Sequence, residues 1–233
     1  MKVTKLVQST ILIEHRDTAV LVDPGVYNME RGIGAARFPN LAAVIITHKH
    51  ADHFNLDFAL ELSAKFAPRF ITNPEIALIL GANGLGAEIG RPGDVFNVDS
   101  LQITLTPADH QVRGQVIPNF GFVVSDGNRR LYHTSDTSLI DSQRLGIADA
   151  RGADLMFVPI SNRCVVMGID DALHMVADFK PNVAIPMHYD SPKDAPRVSP
   201  DQFVERHALL SGQLDGLEGV DVRILDFEEA IEL

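Results

Sequence analysis

A group of side chains that can bind metals directly follows an apolar run in the first quarter of the chain. The run, residues 41–46, is short and rich in β-branched residues, as buried strands are. It is followed by Thr47-His48-Lys49-His50-Ala51-Asp52-His53. Imidazole together with carboxylate favours a borderline or hard divalent cation. This stretch therefore predicts a metal site at the end of a strand.

The spacing inside this loop suggests two adjacent ions. In an extended loop, His48 and His50 can point the same way, because side chains two residues apart share a face. Asp52 and His53 lie at the next turn and can point to a second place. The alternative is a histidine-rich exposed loop that binds no ion.

Three more candidate ligands follow later apolar runs. His110 comes after residues 101–106, Asp136 after residues 130–133, and His188 after residues 183–187. Each lies where a predicted strand gives way to a loop. The candidate metal ligands are His48, His50, Asp52, His53, His110, Asp136 and His188.

The order of these motifs resembles that of the metallo-β-lactamase superfamily. The resemblance rests on the H-x-H-x-D-H loop and on Ala108-Asp109-His110, Ser135-Asp136-Thr137 and Pro186-Met187-His188-Tyr189, and it covers about residues 20 to 190. The segments Leu21-Val22-Asp23-Pro24-Gly25 and Met167-Gly168-Ile169-Asp170-Asp171-Ala172 are more similar to one branch of metal-dependent hydrolases. That branch includes the L-ascorbate-6-phosphate lactonases and, more distantly, the phospholipase D that acts on N-acyl-phosphatidylethanolamine.

The resemblance implies a role for each candidate ligand. His48, His50 and His110 would hold one metal, and Asp52, His53 and His188 would hold the other. Asp136 would bridge the two ions. The expected cofactors are two divalent ions, zinc first, with manganese or iron as alternatives. Ser135 departs from the family pattern, which usually has glycine there, and Asp23 is interpreted either as a support for the metal loop or as a turn residue.

Residue periodicity and turn signals predict alternating strands and helices. Besides residues 41–46, strands are predicted at 2–7, 9–15, 18–22, 70–72, 94–98, 101–106, 119–125, 130–133, 155–159, 183–187 and 221–226. Helices are predicted at 55–66, from Asn73-Pro74-Glu75, near 138–147, at 170–179 and from Ser199, and residues 26–40 are predicted to form a loop beside the site.

This pattern, like the resemblance, indicates a four-layer αβ/βα sandwich of the metallo-β-lactamase type. Residues 1–233 are expected to form a single domain with two similar halves, roughly 1–115 and 116–233. A chain of 233 residues with 45% hydrophobic residues is large enough to bury such a core.

Composition narrows the class of partner. A net charge of −11 argues against nucleic-acid binding, which requires basic stripes. No run approaches the roughly 20 apolar residues of a membrane span, and polar residues interrupt the start of the chain. The single cysteine, Cys164, excludes an internal disulfide. We therefore expect a cytoplasmic protein acting on a small molecule, and the sequence does not indicate its oligomeric state.

The predicted reaction is hydrolysis. Two divalent ions about 3.5–4 Å apart can share a water and lower its pKa toward about 7. A metal-bridging hydroxide would then attack an ester, lactone or phosphodiester bond of a small anionic molecule, and Asp52 or Asp136 would pass a proton to the leaving group. Asn162, Arg163 and Tyr189 are candidates for binding a phosphate or carboxylate of the substrate.

Two other functions are compatible with parts of this pattern. One is a di-iron oxidoreductase of the same fold, but that branch has an acidic ligand at the position of Lys49, and an ammonium group cannot bind a cation. The other is a non-catalytic binding module stabilised by metal, which the full set of seven candidate ligands disfavours.

Overall fold

Two seven-stranded mixed sheets dominate the computed structural model, which describes residues 1–140, 150–161, 166–190 and 198–233. The first sheet has the order β16-β1-β2-β3-β4-β5-β6 and the second has the order β15-β14-β13-β12-β11-β8-β7. The strands of the first sheet are β1 (Lys2–Lys5), β2 (Ile11–His15), β3 (Thr18–Val22), β4 (Ala43–Ile46), β5 (Arg69–Thr72), β6 (Glu88–Ile89) and β16 (Ala230–Glu232). Those of the second are β7 (Val95–Val98), β8 (Leu101–Pro107), β11 (Phe120–Ser125), β12 (Arg130–His133), β13 (Leu155–Pro159), β14 (Val183–Met187) and β15 (Asp221–Val222).

Helices cover the outer faces of the sheets. They are α1 (Val26–Glu30), α2 (Leu56–Phe66), α3 (Pro74–Ala82), α4 (Ile169–Phe179) and α5 (Pro200–Leu210), with a short 3-10 helix at Ala35–Arg37. A two-stranded ribbon, β9 (Gln111–Val112) and β10 (Gln115–Val116), follows His110. None of the helices in the described ranges combines the length and the apolar composition of a membrane span.

Three apolar clusters hold the layers together. The inner faces of the two sheets meet in a core that includes Ile45 and Phe122. A second cluster joins the first sheet to α2 and α3, with Phe58 against the strands, and a third joins the other sheet to α4 and α5 through residues such as Leu173 and Phe203. This layering confirms the predicted αβ/βα sandwich.

Strand direction brings the ligand-bearing loops to one edge. Strands β3, β4 and β5 run parallel, as do β12, β13 and β14. Strand β8 is antiparallel to β11, which is antiparallel to β12, so β8 ends on the same side as β12. The carboxyl ends therefore lie at one edge within each sheet, where α/β proteins bind ligands. The 2.9 Å contact between Ser135 Oγ and Thr47 Oγ1 joins the edges of the two sheets.

The predicted helix starts are confirmed by their caps. The Asn55 side chain accepts the backbone N–H of Phe58, and Asn73 accepts those of Glu75 and Ile76. Ser199 forms a capping box with Gln202. Each side chain satisfies a backbone donor that the first helical turn leaves unpaired.

The C-terminal segment differs from its prediction. The predicted strand at 221–226 is limited to Asp221–Val222, and a strand that was not predicted, β16, pairs antiparallel with β1 at the edge of the first sheet. Three residues with one buried side chain carry too little periodicity to be recognised. Their pairing depends on the open edge that β1 provides.

Other elements were also mislocated. Residues 26–40 contain α1 and the 3-10 helix rather than only loop. Strand β1 ends earlier than predicted, at Lys5, and strand β2 begins later than predicted, at Ile11. Residues 6–10 instead form the turn between them, with Gln8 at φ 57°. The helix predicted near 138–147 lies largely outside the described residues.

Candidate metal centre

Two adjacent groups of side chains meet at the common edge of the sheets. The first contains His48, His50, His110 and Asp136, and the second contains Asp52, His53 and His188. Within each group, the potential ligand atoms all lie within 4.8 Å of one another. The structure thus brings together all seven residues that the sequence singled out as candidate ligands.

In the first group, imidazole nitrogens face each other. His50 Nδ1 lies 3.0 Å from His48 Nε2 and 3.1 Å from His110 Nε2. Asp136 Oδ2 lies 3.8 Å from each of those Nε2 atoms. Ligands about 2.0–2.1 Å from a tetrahedral metal are roughly 3.3 Å apart, so these separations match the surroundings of one cation.

The second group is connected to the first through Asp136. His188 Nε2 lies 3.2 Å from Oδ2 of both Asp52 and Asp136. His53 Nε2 lies 3.2 Å from Asp136 Oδ1 and 3.7 Å from Asp52 Oδ2. One carboxylate therefore faces imidazoles of both groups.

Two buried atoms in the centre show that the residues fit a metal. His53 Nε2 and Asp136 Oδ1 lie 3.2 Å apart without a well-aligned hydrogen bond among the described residues, so in the metal-free protein a proton on His53 compensates the buried carboxylate. Buried polar atoms are nearly always paired. A cation between imidazole and carboxylate would satisfy both, and this donor set suits zinc, manganese or iron.

Asp23 is hydrogen-bonded to two residues of the histidine loop. Its Oδ2 accepts from His53 Nδ1 at 2.8 Å and from Thr47 Oγ1 at 2.9 Å, and its Oδ1 accepts the backbone N–H of Thr47. These bonds leave His53 Nε2 directed into the centre, as carboxylate partners of ligating histidines do. Asp23 also has a left-handed backbone, φ 47°, so both interpretations made from the sequence apply.

Ser135 connects the loops of the two sheets. Its backbone is left-handed, φ 58°, which disfavours any residue but glycine by about 1–2 kcal/mol. Its hydroxyl lies 2.9 Å from both Thr47 Oγ1 and Asn119 Oδ1, and Asn119 donates to the backbone oxygen of Asp136. The single hydroxyl hydrogen of Ser135 forms one buried hydrogen bond with either oxygen, worth about 1 kcal/mol, which offsets much of the strain. This explains how serine is accommodated where glycine was expected.

The charges in the centre are strongly coupled. Burial lowers the pKa of His48 well below 6.5. Burial opposes the charged form of His53 as well, but Asp136 and Asp52 outweigh it and raise that pKa well above 6.5. Desolvation disfavours the charged form of the mostly buried His188, yet Asp136 and Asp52 raise its pKa to about 10. Burial disfavours ionised Asp136, but His188 and His53 hold its pKa well below the usual range.

The centre is open to solvent on one side. The side chains of His48, His53, His110 and Asp136 are at most 2% exposed, whereas those of Asp52 and His188 are 19% and 11% exposed. Lys49 lies outside the centre and forms a salt bridge with Glu75, 2.6 Å away. The partly exposed candidate ligands are therefore His50, Asp52 and His188.

The predicted substrate contacts are placed only in part. Tyr189 follows His188, its ring lies 5.1 Å from Lys5 Nζ, and its hydroxyl is 3.5 Å from the backbone oxygen of Leu225. Burial, followed by nearby Asp190, raises the pKa of the Tyr189 hydroxyl. Asn162 and Arg163 lie outside the described residues.

Several residues that support the candidate ligands lie outside the sequence motifs. Asn119 donates to the backbone oxygen of Asp136, and Lys5, near the start of the chain, forms an ion pair with Asp190, which follows the His188 motif. No spacing rule connects residues that are 185 positions apart, as Lys5 and Asp190 are. Among the supporting residues Thr47, Asn119, Lys5 and Asp190, Thr47 alone lies within a sequence motif, because it begins the histidine loop.

Comparison with known proteins agrees with this geometry. Residues 18–189 match the family model described as "Beta-lactamase superfamily domain". A UPF0173 metal-dependent hydrolase of Deinococcus radiodurans is 32% identical over 244 aligned positions, covering 100% of each chain. The chain belongs to the UPF0173 metal-dependent hydrolases of the metallo-β-lactamase superfamily. Another UPF0173 metal-dependent hydrolase, from Methanocaldococcus jannaschii, is 31% identical over 92% of this chain and 94% of its own.

A solved structure supports the same assignment. Igni18, a metallo hydrolase from Ignicoccus hospitalis, superposes on this hydrolase with a TM-score of 0.78 and 26% identity, covering 100% of this chain and 98% of Igni18. The superfamily and fold inferred from the motifs are confirmed. The closer likeness to the L-ascorbate-6-phosphate lactonases stays a prediction.

Proposed function

We propose that this UPF0173 hydrolase binds two divalent cations and cleaves an ester, lactone or phosphodiester bond in a small anionic molecule. The observation that carries the proposal is the position of Asp136, whose carboxylate lies 3.2–3.8 Å from imidazole nitrogens of both ligand groups. A carboxylate shared in this way is suited to bridging two ions. Zinc is the expected metal because five of the seven proposed ligands are histidines, with manganese or iron as alternatives.

When bound, such a pair of ions supplies a water of lowered pKa and polarises the scissile carbonyl or phosphoryl oxygen. The residues of the chain hold the ions, exclude bulk water and move the proton. Asp136 is almost fully buried among histidines, so its carboxylate is committed to the bridge. Asp52 is the more exposed of the two carboxylates, so we assign it the transfer of a proton from the attacking water to the leaving group.

The charge of the loaded centre favours an anionic substrate. Two divalent ions with Asp52 and Asp136 leave a net charge of about +2, although the whole protein is acidic. Tyr189, Asn162 and Arg163 remain our proposed contacts for the anionic group. Tyr189 follows His188 in the chain and is partly exposed, which supports its inclusion.

The alternative of a di-iron oxidoreductase has less support. Lys49 occupies the position where that branch has an acidic ligand, and its ammonium is paired with Glu75 outside the centre. Optical and electron paramagnetic resonance signals of iron, together with no hydrolysis of any compound in the substrate panel, would favour this alternative.

A substrate screen on protein of known metal content tests the proposal. We expect two equivalents of metal and hydrolysis of at least one compound in a panel of lactones, phosphodiesters and carboxylic esters. His110→Ala should lose one equivalent and reduce the rate by at least about 100-fold, because one ion loses a ligand. His174→Ala is the matched control, since His174 is exposed on α4 and bonded to the Asp170 backbone. Full activity of His110→Ala, or metal-independent hydrolysis, would refute the proposal.

Metal uptake should also release protons. The pKa of His188 is raised to about 10 and that of His53 is raised well above 6.5, so at pH 8 the metal-free protein holds protons that a metal must displace. Unperturbed imidazoles with a pKa of about 6.5 would release almost none at that pH. Calorimetry in two buffers of different ionisation enthalpy measures the number. His188→Gln should release about one proton fewer, whereas His15→Gln should match the parent protein.

Zinc binding at pH 8 with no proton release would contradict the charge state assigned to His53 and His188. The raised pKa of His188 also predicts how the number of released protons changes with pH. As the pH rises from 8 through 10, fewer protons remain on His188, and the number released should fall.

A further inference from the structure

The side chain of Lys5 is buried although it carries a charge. Lys5 ends β1 and its side chain is 1% exposed. Its Nζ lies 2.6 Å from Asp190 Oδ2 and 3.0 Å from the backbone oxygen of Leu6. Lysine is almost never fully buried unless it is paired, because desolvating an ammonium group is unfavourable. The interior position of Lys5 therefore depends on Asp190.

Asp190 connects the C-terminal ligand loop to the N-terminal hairpin by a second bond. Its other oxygen, Oδ1, accepts the backbone N–H of Gln8 at 2.8 Å. Gln8 is itself left-handed, φ 57°, in the turn between β1 and β2. Both oxygens of one carboxylate are thus held by residues more than 180 positions away in the sequence.

The turn held by this pair contains a proposed metal ligand. His188 follows β14 directly and has φ 68°, a conformation that a residue with a side chain rarely adopts. Such strain persists only where the surroundings impose it. Two residues later, Asp190 is anchored by Lys5, and the Tyr189 ring between them lies beside the ammonium group. In this turn, His188 Nε2 lies 3.2 Å from Oδ2 of both Asp52 and Asp136.

We propose that the Lys5–Asp190 ion pair is a positioning element for the second ligand group, holding the strained 188–190 turn so that His188 faces Asp52 and Asp136. The proposal rests on the proposed metal-binding role of these residues. It assigns Lys5 and Asp190 no contact with substrate. Their effect is carried entirely by the orientation of His188.

A purely structural ion pair would behave differently. Breaking a buried pair commonly lowers stability whatever the pair does, so loss of stability does not distinguish the two roles. A positioning role affects one metal site selectively, because His48, His50 and His110 are held by other elements. Residues that orient a ligand typically change metal affinity by about 10- to 100-fold.

The experiment is a zinc titration of metal-free protein in competition with a chromophoric chelator. The variants are Lys5→Met, which keeps the length of the side chain, and Asp190→Asn, which keeps its shape. Lys2→Met is the matched control, since Lys2 lies on the same strand and pairs with Glu14 at 2.9 Å but is exposed. Circular dichroism and thermal unfolding of the metal-free variants verify that each is folded.

We expect Asp190→Asn and Lys5→Met to weaken one zinc equivalent by about 10- to 100-fold and leave the other unchanged. Lys2→Met should bind both equivalents like the parent protein. Parent-like affinity for both equivalents in Asp190→Asn would overturn the proposal, and so would equal weakening of both. If Lys5→Met does not fold, the Asp190→Asn variant by itself tests the proposal. The Asp190 side chain is partly exposed, so its replacement is less disruptive to folding than replacement of the buried Lys5. A parent protein that binds no zinc, manganese or iron would instead refute the proposed function.

Discussion

Replacing Asp136 with asparagine is expected to reduce hydrolysis by about 1000-fold or more and to lower the metal content below two equivalents. The amide keeps the shape of the side chain but removes the negative charge that faces both ligand groups. Asp136 lies within 3.2–3.8 Å of four imidazoles, and it is 2% exposed, so solvent cannot replace it. Two ions held close together repel each other, and a shared anion is the main compensation. Metal analysis and initial rates on any substrate found in the screen measure the effect.

Asp109→Asn is the control for this prediction. Asp109 is an exposed carboxylate next to His110, and one of its oxygens accepts from Gln111. Its replacement should leave metal content and rates within about twofold, as is usual for surface positions. An Asp136→Asn variant with two tightly bound ions and near-parent activity would show that Asp136 does not bridge.

Replacing Gly25 with alanine is expected to displace the metal loop without changing any ligand. An added Cβ would lie 1.9 Å from the backbone oxygen of Asp52 and 2.7 Å from the backbone nitrogen of His53. The close approach is fixed by a hydrogen bond of 2.7 Å from Val26 N to Ala51 O. Because backbone rather than a flexible side chain must move, we expect a loss of about 2–4 kcal/mol in unfolding free energy. Weaker metal binding should accompany it.

Gly81→Ala separates this effect from the general consequences of replacing a glycine. Gly81 lies in α3, and a Cβ there meets nothing within 4 Å. Alanine should stabilise the protein by about 0.5–1 kcal/mol because it favours the helix. Denaturant unfolding of the metal-free proteins, followed by zinc titration, gives both quantities. Parent-like stability and metal affinity in Gly25→Ala would mean that the loop can shift without affecting the centre.

The supports of the centre show where sequence reasoning stops. The histidine loop can be recognised from the sequence because its four candidate ligands lie within six residues of one another. The strands before His110, Asp136 and His188 are recognisable from their apolar runs. Ser135 was noticed only as a departure from a family pattern. The contact of its hydroxyl with Thr47 depends on the two sheets meeting, and no local pattern encodes that contact.

Short strands and turns could not be predicted from the sequence either. Strand β16 has three residues and forms because β1 offers a free edge. The turn at Gln8 separates β1 from β2 through a left-handed residue without glycine, asparagine or aspartate at that position to signal it.

The amino-acid sequence by itself predicted the alternation of strands and helices and the seven candidate ligands, because periodicity and ligand spacing are local properties of the chain, and the resemblance of its motifs indicated the superfamily. Only the tertiary structure decided how those side chains are held. The shared position of Asp136, the support of His53 by Asp23 and the burial of Lys5 against Asp190 are contacts between distant segments. Their energies arise when water is excluded between the packed layers, and that exclusion exists only after the chain has folded.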